Sequence, residues 1–114
     1  MYEYKIRKIL KIYDGDTITV EVELGFGVTK KEKLRLALIN APEMRGSEKD
    51  KGTLSRDWLR EKLYSAEEQG KDIIIKTMKD KKGKYGRYIA EIFIDDISVN
   101  RELVNEGLAV YKEY

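Results

Sequence analysis

Asp16, Arg35, Asn40, Glu43, Tyr85 and Arg87 are polar residues near the ends of extended segments, where side chains from separate strands can meet. The first of them sits in "IYDGDTITV", Ile12 to Val20. Asp14-Gly15 alone suffices to turn a hairpin there, so Asp16 adds a carboxylate that the turn does not need. The chemistry such a set could serve is narrowed by what the chain lacks: it has no cysteine and no histidine. That removes disulfides, thiolates, imidazole acid–base pairs, Ser-His-Asp triads, zinc fingers and most zinc hydrolase sites. Catalysis has to use carboxylates, arginine, lysine, tyrosine or a metal held by oxygen.

The elements that must position these residues follow from patterning. Tyr2, Tyr4, Ile6, Leu10 and Ile12 fall on one parity and predict a strand with one buried face. Ile18, Val20, Val22 and Leu24 predict its antiparallel partner across the Asp14-Gly15 turn. After a turn at Gly25 to Gly27, a third strand carries Leu34, Leu36 and Leu38 on one face and Arg35 on the other, and Pro42 ends it. Met44 to Gly52 has almost no apolar content and reads as a mobile surface loop. Leu54, Trp58, Leu59, Leu63 and Ala66 recur at helical spacing up to a stop at Gly70. Ile73 to Ile75 reads as a short buried strand and Tyr88 to Ile94 as a fifth. Asp95-Asp96 turns the chain, and Asn100 is placed to cap a short helix through Asn105 that ends at Gly107. The pattern predicts an α+β, mainly β fold: a five-stranded OB-type barrel with two or three attached helices. In such a barrel the polar residues above can converge on one side wall.

A single domain over 1–114 is expected, since 114 residues are too few for two cores. Hydrophobic residues make up 41% and charged residues 39%, so a core is available beneath a heavily charged surface. No apolar run approaches the roughly 18 residues of a membrane span, and the first ten residues lack the apolar stretch of a signal peptide. A cytoplasmic location is the expectation, with export from a longer precursor left open. Net charge is only +2. Locally, Lys71, Lys76, Lys79, Lys81, Lys82, Lys84 and Arg87 face only Asp72 and Asp80, a basic stretch that suits a polyanion as well as a solvated loop.

Taken together, "DGDT" (Asp14 to Thr17), "RLALINAPE" (Arg35 to Glu43), "KYGR" (Lys84 to Arg87) and "VNRELVNEGLA" (Val99 to Ala109) resemble the staphylococcal nuclease, or thermonuclease, family. Each block alone reads as a turn, a strand stop or a surface charge; their order and spacing, over about Lys5 to Tyr111, carry the likeness. The resemblance implies an OB-type barrel with helices that hydrolyses DNA and RNA phosphodiesters with calcium, one ion per chain. Little sequence preference and 5′-hydroxyl and 3′-phosphate ends are implied with it. By the same likeness Asp16 is a direct calcium ligand, which gives the second carboxylate of "DGD" its purpose. Asn40 takes the place of a ligand that is usually Asp, Ala41 offers its backbone carbonyl, and Glu43 acts beside the metal, directly or through water, as general base or orienting group. Arg35 and Arg87 hold the scissile phosphate. Tyr85, Lys84 and Tyr111 (or Tyr114) lie along the nucleotide. The expected partners are DNA and RNA as substrate, with no membrane, for a monomer.

These roles suit the residue types. A guanidinium meets the equatorial oxygens of a phosphodiester transition state with paired donors in one plane, which an ammonium cannot do. A hard dication adds Lewis acidity and accepts carboxylate, amide and carbonyl oxygens in irregular geometry. Without histidine, Glu43 is the proton acceptor at hand. Two departures from the family pattern have consequences. Asn40 brings no charge, leaving Asp16 and Glu43 in place of three carboxylates, so cation binding weaker than in relatives with Asp is expected. Relatives also commonly continue into a further helix where this chain stops at Tyr114, with lower stability or a more open nucleotide site as the expected result. The competing reading is a non-catalytic OB-type module that binds single strands through a basic groove and stacked aromatics, for which eight tyrosines are available. Arg35, Glu43 and Arg87, all present, favour the enzyme.

Overall fold

The computed structural model describes residues 2–82 and 87–112, without the side chains of residues 79–82. Along the chain run β1 (Tyr2–Asp14), β2 (Thr17–Gly25), β3 (Val28–Leu36), β4 (Ile39–Asn40), α1 (Lys49–Glu68), β5 (Ile73–Lys82), β6 (Tyr88–Ile94), β7 (Ile97–Ser98), α2 (Val99–Asn105) and β8 (Val110–Tyr111). The five long strands pair in the order β3-β2-β1-β5-β6, and a parallel pairing of Leu34, Leu36 with Tyr88, Ala90 joins β3 to β6 and closes the sheet. Closure leaves these strands without an open edge. The result is the OB-type α+β barrel that the patterning predicts, with two α-helices. Inside lie Ile12, Ile18, Val20, Leu34, Leu36, Ile75 and Ile92, and Leu59 and Leu63 of α1 and Leu103 of α2 join the same cluster. Among the described residues no helix is long and apolar enough to cross a membrane.

The strands depart from simple alternation where the barrel must coil. In β1 the buried residues are Ile6, Ile9 and Ile12, while Leu10 is exposed, against the single parity expected. Register slips between Ile6/Lys8, Ile9/Lys11 and Ile12/Asp14 account for this: each bulge inserts a residue, so the inward face recurs every third position. The backbone groups that a bulge releases need other partners. Glu67 of α1 accepts the Ile9 N–H at 2.8 Å, and Arg60 donates to the Ile12 carbonyl at 3.2 Å, so the same bulges dock the helix. Leu24, at the far end of β2, is likewise exposed.

Four further expectations are corrected. The third strand ends at Leu36, well before Pro42, because Leu38 turns the chain with φ +69. Met44 to Gly52 is not a loop throughout: a 3-10 turn at Gly46–Glu48 leads into α1 at Lys49. Its charged residues face solvent on the first turns, and the buried face is Gly52, Ser55, Leu59, Leu63 and Ala66, with Leu54 exposed. Ile73 to Ile75 is the start of the longer β5. Finally, Ser98 caps α2, its Oγ accepting the Arg101 N–H at 3.2 Å. Asn100 is instead fully buried. It accepts from Ile92 N–H at 3.0 Å and donates to the carbonyls of Ala37 and Ala90 at 2.8 and 3.2 Å. An amide satisfied on both ends inside a core costs little to bury and ties three segments together.

Candidate active site

The Asp14 region builds the first wall. Asp14 pairs with Thr17, which makes Gly15 and Asp16 the central turn residues, and Asp14 Oδ1 accepts the Asp16 N–H at 3.0 Å. The ladder then sets Thr17 opposite Arg35, and barrel closure sets Arg35 beside Ile89, close to Arg87. The second wall is the left-handed turn at Leu38. That conformation costs a non-glycine residue roughly 1 kcal/mol. Three hydrogen bonds hold the turn: Lys112 N–H to Leu38 O at 2.7 Å, Ala37 N–H to Ala90 O at 2.8 Å, and the Asn100 amide to Ala37 O. The turn folds Asn40 and Ala41 back onto the residues that precede it.

What results is a chain of polar contacts from Asn40 to Arg87. Arg35 Nη2 donates to Asn40 Oδ1 at 2.5 Å and lies 3.3 Å from Asp16 Oδ2, while Nη1 donates to the Leu36 carbonyl at 2.8 Å. Asp16 Oδ2 also accepts the Ala41 N–H at 2.8 Å, and Oδ1 accepts the Thr17 hydroxyl at 3.2 Å. Arg87 Nη1 donates in turn to Thr17 Oγ1 at 3.3 Å. The Asp16–Arg35 pair is nearly enclosed, with side chains 13% and 11% exposed. Asp16, Arg35, Asn40, Ala41, Glu43 and Arg87 all line one cleft of about 1080 Å³. Glu43 is exposed on the solvent side, its N–H donated to Glu48 Oε1 at 3.2 Å.

Two glycines let the walls meet. A Cβ on Gly52 would lie 2.2 Å from the Glu43 carbonyl oxygen, so only glycine lets the first turns of α1 sit against that peptide. A Cβ on Gly15 would lie 2.0 Å from Ser55 Oγ and 2.8 Å from Ala41 Cβ.

Of the residues expected on nucleotide, Lys84, Tyr85 and Tyr114 lie outside the described residues. Tyr111 stands opposite Ile39 in the β4–β8 pair and is exposed; its neighbours Val110 and Lys112 line the cleft and Tyr111 does not, as strand alternation requires. Thr17, the link between Asp16 and Arg87, was missed as a site residue although it ends the "DGDT" block. Arg45, Glu48 and Lys51 on the cleft rim were hidden in a stretch that reads as loop.

Burial raises the Asp16 carboxyl to about 6; neighbouring Asp14 adds to the rise, and the Ala41 N–H and Arg35 oppose it. A raised folded value means the native state holds the proton more tightly than the unfolded chain. That stabilisation is complete below the ordinary value of 3.8 and is lost as pH climbs through about 6. In chelator, the stability of wild type minus that of Asp16→Asn is therefore expected to fall by on the order of 1–2 kcal/mol between pH 4 and 7. Chemical denaturation across that range measures it, and a flat difference would refute the burial argument.

Among the described residues no three Asp, Glu, His or Cys side chains gather as a metal cage. The donors that do gather are all oxygens: the Asp16 carboxylate, the Asn40 amide and, toward solvent, Glu43. The Asp16 carboxylate is nearly enclosed, with Arg35 3.3 Å away as its neighbouring cation. That donor chemistry fits a hard cation such as calcium, bound with little ligand charge.

Residues 33–114 match the profile of the family described as staphylococcal nuclease homologue, and the chain belongs to that family. An uncharacterized endonuclease of Haemophilus influenzae is 34% identical over 110 residues, covering 94% of this chain and 53% of its own length. An uncharacterized protein of Methanocaldococcus jannaschii is 30% identical over 128 residues, covering 95% of this chain and 59% of its own. The chain thus spans about half the length of the curated relatives it matches.

Proposed function

We propose that this chain is a calcium-dependent nuclease domain that hydrolyses DNA and RNA phosphodiesters with little sequence preference, leaving 3′-phosphate and 5′-hydroxyl ends. The observation that carries the reading is the convergence of two guanidinium groups, a buried carboxylate and Glu43 on one cleft, inside a family of nuclease homologues. The endonuclease name of the Haemophilus influenzae relative supports it.

Asp16, Asn40, the Ala41 carbonyl and Glu43 would hold the ion. Bound there, calcium supplies Lewis acidity to the phosphate and a lower barrier to water attack. Arg87 presents a planar pair of donors to the phosphate oxygens as they gain charge. Arg35 opposes the rise of the Asp16 carboxyl, orients Asn40 and completes the positive wall. Glu43 takes a proton from the attacking water as the new P–O bond forms. The P–O5′ bond breaks, and the 5′ oxygen leaves as a hydroxyl after protonation from solvent.

Incubation with single-stranded DNA tests this: fragments with 3′-phosphate ends are expected in calcium and none in chelator. Intact DNA in both, with salt-sensitive binding retained, would leave the non-catalytic binding module as the answer; Asn40, where a third carboxylate is absent, is the feature in favour of that outcome. The cation site has its own readout. Asn40→Asp adds a charge beside Arg35 and is expected to tighten calcium binding by about tenfold in a calorimetric titration. Equal affinities would show that ligand charge does not set the affinity here.

A further inference from the structure

Beyond Arg35, the outer face of the β1–β2–β3 sheet carries further cations that the site does not use. Strand alternation puts Lys31, Lys33 and Arg35 on one face of β3, at intervals of about 7 Å. The ladder sets Thr17 opposite Arg35 and Thr19 opposite Lys33, with Lys11 beyond Thr19. Tyr13 lies over this row: its hydroxyl and Thr19 Oγ1 are 3.1 Å apart, and the Nζ atoms of Lys11 and Lys33 stand 4.7 and 4.6 Å from its ring centroid. The Tyr13 hydroxyl is lowered from its usual value first by that hydrogen bond and then by Lys33, Lys11 and Lys31, which places Lys31 in the same field. No carboxylate among the described residues pairs with Lys11, Lys31 or Lys33. Two ammonium groups drawn onto one half-buried ring repel each other, and the ring attracts each only weakly. An anion between them removes the repulsion.

We propose that this face is a track for the phosphate backbone of a polynucleotide strand leaving the cleft, with Lys11 and Lys33 binding phosphates and Tyr13 positioning both ammonium groups. The row begins at Thr17, the residue that holds Arg87, so the track is continuous with the cleft. At Tyr13 it has Lys11 on one side and Lys33 on the other, a gap that suits one phosphate backbone, and it ends where Glu21 stands opposite Lys31. The ligand class rests on the nuclease reading; the surface itself does not.

Binding of a labelled 12-nucleotide oligothymidylate, followed by fluorescence anisotropy in chelator over a salt series, tests the track without cleavage. Each lost phosphate contact lowers the slope of log K against log salt by roughly 0.7 for a single strand. Lys11→Ala and Lys33→Ala are each expected to do so, and the pair together to weaken binding about tenfold at low salt. Lys30→Ala removes the same charge from the opposite face, where Lys30 pairs with Glu32, and is expected to leave the slope alone. Tyr13→Phe keeps the ring and the slope, whereas Tyr13→Ala lowers it. Equal effects of Lys30→Ala and Lys33→Ala, a Tyr13→Ala protein that binds like wild type, or no binding at low salt would each overturn the track. A protein that shows the expected slopes but never cuts in calcium disproves the nuclease reading instead.

Discussion

Replacing Arg87 by alanine is expected to lower kcat/KM on single-stranded DNA by on the order of 10²–10³ while leaving the fold in place. The rate argument is electrostatic. Charge gathers on the phosphate oxygens as the reaction proceeds, and a preorganised guanidinium on the cleft wall meets it without reorganisation. The stability argument is local. Arg87 is half-buried, and the bond it donates to Thr17 Oγ1 is long, 3.3 Å, so loss of that bond costs about 1 kcal/mol or less. Arg35 makes a poorer test of the same idea. Removing it strands Asp16 as a buried charge, a change that costs roughly 3–5 kcal/mol and mixes folding with chemistry. Arg87→Lys keeps the charge but not the planar fork and is expected to recover little of the rate. Initial rates and melting temperatures on the same preparations decide the matter. A rate within threefold of wild type would remove Arg87 from the reaction.

Gly52→Ala, at a position that supplies no ligand itself, is expected to cost about tenfold to a hundredfold in the same rate. The added methyl would meet the Glu43 carbonyl oxygen at 2.2 Å, the Glu43 carbonyl carbon at 2.8 Å and the Pro42 oxygen at 3.0 Å. All three are backbone atoms, so no side chain can swing aside. Either α1 slides outward or the Pro42-Glu43 peptide moves, and a displacement near 1 Å at a reacting group can cost about 10² in rate. Overpacking destabilises by roughly 1–3 kcal/mol, but alanine in place of glycine in a helix returns about 1 kcal/mol, so the melting temperature should move less than the rate does. Leu54→Ala, on the exposed side of the same helix, serves as the control that leaves the rate unchanged. An unaltered rate for Gly52→Ala would mean that the position of Glu43 is not set by this contact.

Much of the barrel could be read from residue patterning, because a strand with one buried face must alternate and the turns here have strong local chemistry. Asp95 and Asp96, with φ +54 and +64, make the turn that their types suggest. Tyr88–Ile94 is a strand with the bounds that its apolar run implies. Patterning failed where a long-range partner outweighed local preference. Leu10 lost its buried place to bulges that coil β1 around a small barrel, and Pro42 was not the strand end because three hydrogen bonds from distant segments hold Leu38 in a left-handed turn. Asn100 has the chemistry of a cap, yet the interior needed its amide more than the helix end did.

The candidate site divides along the same line. Residue types and motif order alone pointed to the candidate groups: oxygen donors and guanidinium groups in a chain without imidazole or thiol, in four blocks of which all but "DGDT" lie within the span matched to the nuclease family. Only the tertiary structure decided how they face one another. Arg35 turns toward Asp16 and Asn40, Thr17 carries the contact on to Arg87, Tyr111 turns away, and Gly52 seats the helix against Glu43. Types are local, and a motif can record them. Orientation depends on barrel closure and helix docking, which join residues as far apart as Thr17 and Arg87, 70 positions, and leave no local mark.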